Sequence, residues 1–559
     1  MSYRATMTAE KTDIDALLLD AIRLHSAGAV GRAEELYRAV LKQQRNHPDA
    51  LHMLGVIAFQ RGDAQAGIRM IERSLAVRPD FADAQNNLAG MYLHTGKADK
   101  AQALAERAIM NQPDFPAAYR TRATAQLRQR DFEGAADSFA RMSAMDPGNT
   151  SFLDEWAVAL LNTGRYPEAE AMFARVLEIN TGNVDARCYM AQAIKRQGRF
   201  DEALTHLNEL LAGDPAYVPA LVHAGDALQA LDDIDAAIAR FREAIRIQPD
   251  HAEAHFNLGV SLLTLGRFEE GWKEYSWRFR MEAYAAFKSP ADAPLWNGEM
   301  LDGKSILIFA EQGLGDTIQF ARYAGLLKAE GATVHAQCAA GIAELIGSIE
   351  GITDMYTFEQ AAPEVDFQIS MMELPRVFKT DAGSVPNPGG YLHPCRDNIR
   401  IDDRPAVGLV WQGNTEHTND AYRSVPLTWF ERIAARNDIQ CYSLQVGDAA
   451  GQISALGWQD NIHDLSPQLN SFSDTADAIS KLDLVISVDT SVAHLTGALG
   501  VPVWVLLAHL SDWRWGRSSD VSCWYASMRL FRQNRLGAWD DVFKKLEQEL
   551  DSRRWDIAR

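Results

Sequence analysis

Small residues recur every 34 positions through the first half of the chain: Ala21, Gly55, Ala89, Ala123, Ala157, Ala191, Gly225 and Gly259. Two more series keep the same step. One runs Gly28, Gly62, Gly96, Arg130, Gly164, Gly198, Asp232, Gly266; the other runs Ala33, Gly67, Ala101, Ala135, Ala169, Ala203, Ala237, Gly271. Pro79, Pro113, Pro147, Pro215 and Pro249 punctuate many of the units. A register held over eight units constrains the fold more than composition does. Each unit reads as two helices. A small residue midway along the first lets a partner approach, and a glycine or polar residue then breaks it at a tight turn. A second helix follows with its own small residue at the crossing, and proline stops it. Stacked units bury a continuous apolar seam and curl into a solenoid with a concave face. A generic helical bundle would not hold the register.

From Lys304 the pattern changes. SILIFAEQ is a β-rich apolar run, followed by GLGD, the helical TIQFARYAGLLKAEG and the strand-like TVHAQC. Val385-Pro386-Asn387-Pro388-Gly389-Gly390 reads as a linker. A second alternation begins at Arg404 with AVGLVWQGN, then the helix around LTWFERIAAR, IQCYSLQ, DTADAISKL, LDLVISVDT, SVAHLTGALG and VPVWVLL. Strand–helix alternation predicts two doubly wound α/β halves facing a cleft, with ligands outside the carboxyl ends of the strands. Expected boundaries are 15–287 for the solenoid, 301–395 for the first half and 404–545 for the second, with independent cores joined around Phe279–Pro294.

Charge and cysteine usage narrow the function classes. The 55 basic and 75 acidic residues leave a net charge of −20, against a phosphate-neutralising nucleic-acid binder. Five cysteines, Cys188, Cys338, Cys395, Cys441 and Cys523, form no CxxC and fit a reducing cytoplasm. The start has no apolar core of secretory length, and the apolar stretch near Val501–Leu510 falls well short of the ~20 residues that span a bilayer. A cytoplasmic protein with no membrane span is expected.

Three loops carry candidate chemistry. Glu311-Gln312-Gly313-Leu314-Gly315-Asp316-Thr317 joins a strand to a helix; Gly313 and Gly315 let the backbone approach a ligand near free helix-start N–H groups. Asp316 reads either as a helix cap or as a general base that takes a proton from an acceptor hydroxyl. In Ser487-Val488-Asp489-Thr490-Ser491-Val492-Ala493-His494, a hydroxyl-rich helix start suits a phosphate or diphosphate, and His494 falls in the first turn. The plainer reading has Asp489 or Ser491 as a cap and His494 as a packed surface ring. The third loop holds Trp411, Gln412, Gly413 and Asn414, with Arg423 and Ser424 beyond; Arg423 either neutralises a leaving phosphate or is simply solvated. Gly298–Ser305 matches GxxxxGK[ST], but it precedes a strand instead of joining a strand to a helix, so a phosphate-binding P-loop is not expected. No HExxH, metal-spaced histidine pair or GxSxG occurs.

The period and pattern of the first half resemble the tetratricopeptide repeat. In the second half, GLGD after the first strand, WQGN after the strand opening the second alternation, and VDTSVAHL before VPVWVL resemble the heptosyltransferase-related GT-B glycosyltransferases. The junction GWKEYSWRFR, Asp512-Trp513-Arg514-Trp515, Trp524-Tyr525 and MRLFRQ are similar to the bacterial subgroup that fuses this domain to tetratricopeptide repeats. The resemblance implies an α-helical solenoid followed by a GT-B domain of two Rossmann-like halves. It implies an inverting, metal-independent transferase that needs no cofactor beyond a nucleotide-sugar co-substrate. Asp316 is then the base, with Gly313, Gly315, Gln412, Asn414, Arg423, Asp489, Thr490, Ser491 and His494 around the donor. Some proteins of this architecture resemble flagellin-modifying glycosyltransferases, which makes flagellin the leading acceptor. CMP-linked nonulosonic acid, UDP-GlcNAc and ADP-heptose all stay open as donors. Sugar-transferring relatives with these repeats line the concave face with an asparagine ladder. The matching positions here are Met53, Asn87, Thr121, Glu155, Tyr189, His223 and Asn257, a mixed set that either recognises a partner's side chains or merely faces solvent. A scaffold with an inactive GT-B domain, and a transferase acting on lipopolysaccharide or another glycan, are the competing readings.

Overall fold

The computed structural model describes residues 2–281, 284, 289–387, 389–401, 405–415 and 420–552. The expected boundaries at Phe287 and Arg404, and Pro388 of the expected linker, lie outside the described residues. The chain divides into two compact units, Met1–Ala227 and Leu228–Arg559. No helix among the described residues is long and apolar enough to cross a membrane.

Up to residue 275 helix follows helix, sixteen among the described residues, from Ser2–Ser26 to Phe268–Tyr275. Their spacing has a steric origin at each of the three sequence series. All eight members of the Gly28 series lie in the left-handed region at the turn between paired helices, Arg130 at φ 61° and Asp232 at φ 73° included. Only glycine adopts that conformation without a Cβ penalty, which explains six glycines in eight turns. The alanines of the other two series have no exposed surface. Where glycine replaces them the helices come closer still: a Cβ on Gly55 would lie 2.6 Å from Ile71 Cγ1, and one on Gly259 only 2.5 Å from Tyr275 N.

Among its described residues the second unit holds two all-parallel sheets. The first contains β1 (Ser305–Phe309), β2 (Thr333–Cys338), β3 (Ile352–Thr357) and β4 (Phe367–Ser370), in the order β3-β2-β1-β4. The second contains β5 (Ala406–Val410), β6 (Gln440–Ser443), β7 (Ile462–Asp464), β8 (Leu484–Val488), β9 (Val503–Leu507) and β10 (Met528–Arg532), in the order β10-β9-β8-β5-β6-β7. Chain direction across the sheet reverses between β1 and β4 in the first, and between β5 and β8 in the second. A crevice opens at such switch points, outside the strand carboxyl ends. The three candidate loops follow β1, β5 and β8. Lys304, of the P-loop-like string, lies just before β1 and pairs with Asp366 at 2.9 Å, in the structural context expected of a false match.

The last repeat departs from expectation. Its second helix, Phe268–Tyr275, has eight residues where its predecessors have fourteen, and buries Phe268, Gly271, Trp272 and Tyr275. Trp272 packs edge-on against Trp513 (5.2 Å between centroids), Trp524 (6.3 Å) and Phe320 (6.4 Å), and its Nε1 donates to Thr380 O at 3.0 Å. Trp272, Tyr275, Ile306, Trp513 and Trp524 belong to one hydrophobic core. The joint at Phe279–Pro294 therefore does not separate independent cores, because the last repeat spends its apolar stripe on the α/β unit. Nor does the expected linker run free: Tyr391 N and Leu392 N, just past it, both donate to Ala498 O, at 2.8 and 3.0 Å.

Burying Trp272 and Tyr275 covers Trp513 and Trp524, so a fragment starting at Ser289 exposes both. We expect it to lose near-ultraviolet circular dichroism and to bind a hydrophobic dye. A fragment starting at Asp214, which keeps the last two repeats, should give a sharp unfolding transition. Equal cooperativity in the two fragments would restore the independent-core picture.

Candidate functional site

The loop after β1 leads into the helix Leu314–Ala321, with Gly313 as its extended N-cap residue. Asp316, in the first turn, divides its two oxygens. Oδ2 accepts the Gly313 backbone N–H at 3.0 Å, and Oδ1 is ion-paired with Arg514 Nη2. It is thus a helix-start anchor through one oxygen and an ion-pair partner through the other. Burial pushes its carboxyl above the usual range, with Asp512 adding to the rise and Arg514 opposing it. Gly315 is needed because His494 approaches it: a Cβ there would lie 2.9 Å from His494 Cδ2. The rest of the loop is gripped from the end of the last repeat. Buried Arg278 donates to Glu311 Oε1 at 2.6 Å and Glu373 Oε1 at 2.7 Å, while Gln312 Nε2 donates to the Tyr284 hydroxyl at 2.9 Å.

Past β8, Thr490 is the extended N-cap residue of the helix Ser491–Ala498 and makes no side-chain cap bond. Neither Asp489 nor Ser491 caps this helix. The Thr490 hydroxyl instead meets Ser487 Oγ at 3.2 Å. His494 is buried, so the surface-ring reading fails; it packs against Trp515 with centroids 5.1 Å apart, and its Nδ1 lies 3.0 Å from the Tyr525 hydroxyl. Burial, reinforced by Arg514 and Arg322, holds the imidazole well below its ordinary range, so it is neutral. If Tyr525 donates to Nδ1, the Nε2 edge beside Gly315 carries the proton. Asp489 is pushed up to about 6 by burial and by Asp512, against Arg423 and Arg514.

The loop after β5 is drawn to the same place. Arg423 donates through Nη1 to Asp489 O at 3.1 Å and through Nε to Asp420 Oδ1 at 3.2 Å, so it is not a solvated surface arginine. Gly413 is required there: a Cβ would lie 2.6 Å from Arg423 Nη2. Its N–H donates to Ser424 Oγ at 3.0 Å. The Gln412 N–H donates to Gln445 Oε1 at 3.0 Å, and Gln412 Oε1 accepts from Gln452 at 3.3 Å. Asn414 is exposed.

Asp316, Gly315, His494, Asp489 and Arg423 are therefore linked in one cluster of contacts on the loops after β1, β8 and β5, with Gly413 against Arg423. The residue that joins its sides is Arg514, to which sequence reasoning assigned no role. Its Nε donates to Gln319 Oε1 at 2.7 Å and its Nη1 to Asp512 Oδ1 at 2.8 Å. Tyr275, Tyr284 and Arg278 were missed as well. For Tyr275 and Arg278 the signal was present in the aromatic, basic string GWKEYSWRFR, which patterning alone reads as the end of a repeat, and Tyr284 lies four residues beyond it.

The ladder positions are largely engaged with neighbouring repeats. Asn87 Nδ2 meets His52 Nε2 at 2.7 Å, Thr121 Oγ1 donates to Asn86 Oδ1 at 2.8 Å, and Glu155 pairs with Arg120 at 2.7 Å. Each bonds to the residue just before its counterpart in the preceding repeat. Tyr189 stacks on Phe173 at 5.8 Å, His223 lies 3.7 Å from Asp226, and Asn257 O accepts from Ser261 at 2.9 Å.

Family profiles described as tetratricopeptide repeat match residues 21–69 and 223–275, and residues 58–125, 126–194 and 160–222. The helical half is an array of tetratricopeptide repeats. Protein FlbA of Caulobacter vibrioides is 27% identical over 328 residues, 53% of this chain and 54% of that protein, so the match spans about half the length of the curated relative. YrrB, a tetratricopeptide-repeat protein with an unusual peptide-binding site, is 21% identical with a TM-score of 0.29, over 33% of this chain and 95% of that one. The C-terminal part of a tetratricopeptide-repeat protein from Cytophaga hutchinsonii is 15% identical with a TM-score of 0.37, over 43% of this chain and 99% of that one.

Asp489 yields a pH signature. Folded, it keeps its proton up to about pH 6; unfolded, it releases it near the ordinary value of 3.8. Its contribution to stability is fully present below pH 3.8 and is lost as pH rises through 6. Asp489→Asn should therefore gain on the wild type by about 1–3 kcal/mol between about pH 4 and pH 7, read from denaturant unfolding. A stability difference independent of pH would place Asp489 in an ordinary solvated setting.

Proposed function

We propose that this protein is an inverting glycosyltransferase that moves a sugar from a nucleotide-sugar donor to Ser or Thr hydroxyls of a protein acceptor recruited by the tetratricopeptide repeats. The observation that carries the reading is the clustering of Asp316, the Asp489–His494 loop and Arg423 on loops after β1, β8 and β5, at the switch points of two parallel sheets. In the proposed step the acceptor oxygen bonds to the anomeric carbon and Asp316 takes the hydroxyl proton. The bond from that carbon to the donor phosphate breaks, and its electron pair leaves with the phosphate. Arg423 and the free N–H groups at the start of the Ser491 helix stabilise the charge that develops there. Neutral His494 offers a hydrogen bond and no charge.

The protein acceptor is favoured over a glycan by the repeats, since arrays of this kind offer long surfaces to other chains. Flagellin is the leading candidate, on the resemblance of the architecture. The donor side of the crevice is proposed to comprise Gly313, Gly315, Gln412, Asn414, Arg423, Asp489, Thr490, Ser491 and His494. The acceptor face is proposed to include Asn87, Thr121, Glu155, Tyr189, His223 and Asn257.

Asp316→Asn keeps an oxygen for the Gly313 amide and loses the base. It should lower transfer to flagellin by about a hundredfold or more without weakening nucleotide binding. Arg423→Ala should weaken binding of the nucleotide product by about 1.5–3 kcal/mol in titration calorimetry. Undiminished transfer by Asp316→Asn would favour the scaffold reading, with Asp316 reduced to a helix-start anchor.

A further inference from the structure

The guanidinium of Arg514 is fixed on two of its edges and exchangeable on the third. Nε is held by Gln319 Oε1 at 2.7 Å and Nη1 by Asp512 Oδ1 at 2.8 Å. The Trp513 ring lies against its face, 4.3 Å from centroid to Cζ. These contacts set the plane and position of the group, which is buried. Nη2 remains, and it holds Asp316 Oδ1. The loop after β8 lies beside it: His494 packs on Trp515, the next residue, with centroids 5.1 Å apart, and its ring edge lies against Gly315, next to Asp316.

Two further facts bear on what Nη2 is for. Arg423 also reaches this loop, through Asp489 O, and each arginine keeps a carboxylate partner of its own, Asp420 for Arg423 and Asp512 for Arg514. A phosphate bound at this loop meets both guanidiniums, and at Arg514 it competes with Asp316 for Nη2. A carboxylate paired with a guanidinium is also a weaker base than a free one, since the cation stabilises its ionised form. Asp316 cannot hold its Arg514 bond unchanged and also act as an effective base.

We propose that Arg514 is a donor-phosphate ligand that changes partner on donor binding: its Nη2 edge holds Asp316 in the free enzyme, and an arriving phosphate oxygen takes the carboxylate's place at that edge and frees Asp316 to take the acceptor's proton. Gln319 and Asp512 keep the guanidinium anchored throughout, so the exchange needs no rearrangement of the sheets. The base is masked until the donor is seated, and the donor therefore binds before the acceptor is activated. This inference rests on the reading of Asp316 as the base and of the Asp489–His494 loop as the phosphate site.

The exchange makes an unusual demand: removing the charge of Asp316 should improve nucleotide binding, because the carboxylate competes with phosphate for Arg514. UDP, CMP and ADP are titrated calorimetrically, one at a time, into full-length wild type, Asp316→Asn, Arg514→Met and the double variant. For the nucleotide that binds the wild type tightest, Asp316→Asn should bind about threefold tighter or more, and Arg514→Met about tenfold weaker or more. With Met at position 514, Asp316→Asn should make no difference. If Arg514→Met does not fold, the comparison of wild type with Asp316→Asn, which leaves Arg514 in place, decides alone. Unchanged or weaker binding by Asp316→Asn, or wild-type affinity in Arg514→Met, overturns the exchange while leaving the site reading intact. Failure of all three nucleotides to bind the wild type overturns the site reading, and the exchange with it.

Discussion

A guanidinium removed from water must find its partners inside the protein, and three buried arginines of the second unit find them on different elements. Arg278, at the end of the last repeat, reaches Glu311 and Glu373 beside the first sheet. Arg322, just past the helix Leu314–Ala321, donates to Trp524 O at 2.6 Å in the second half and to Pro386 O at 3.4 Å in the linker. Arg514 crosses the other way, from the second half to Gln319 and Asp316 in the first. An unpaired buried charge costs several kcal/mol, so each arginine enforces the arrangement that satisfies it. Together they join the last repeat, the first sheet and the second sheet into one core, and the candidate crevice lies among them.

The electrostatics of the crevice follow from that enclosure. Burial raises Asp316 and Asp489 and lowers His494. The carboxylates are thereby poised nearer neutrality than in water, and the imidazole is a neutral hydrogen-bonding group. An Asp489 that resists ionisation lowers stability at neutral pH, a cost of the kind that concentrates at functional sites. The glycines of the motifs answer to named neighbours within the chain: Gly315 gives room to His494, and Gly413 to Arg423 and Asp420.

Much of this was legible in the sequence, and the exceptions have a common cause. The 34-residue register marked buried crossings and left-handed turns because both are local steric demands, met by the same residue type in every unit. The loops after β1, β5 and β8 were legible because glycines and hydroxyls interrupt apolar strand runs there. The ladder was harder to interpret, since Asn87, Thr121 and Glu155 bond to partners 35 residues away and so tie repeats together. That the last repeat shares the α/β core was not legible: the Phe268, Trp272, Tyr275 stripe has ordinary helical spacing, and nothing in its period says which surface it covers.

The sequence by itself therefore determined the helical array, the positions of its turns, the alternation of strand and helix beyond it, and the loops that carry polar chemistry. Each rests on a period or a residue preference acting within one or two elements. Tertiary structure alone decided that the last repeat shares the α/β core, that His494 is buried and neutral, and that Arg514 meets Asp316. Gln319 and Arg514 are 195 positions apart, and Asp316 and Arg514 are 198. Contacts at such separations leave no periodic trace in the chain; they arise from how whole sheets and helices pack, and buried charge then admits only the packing that pairs it.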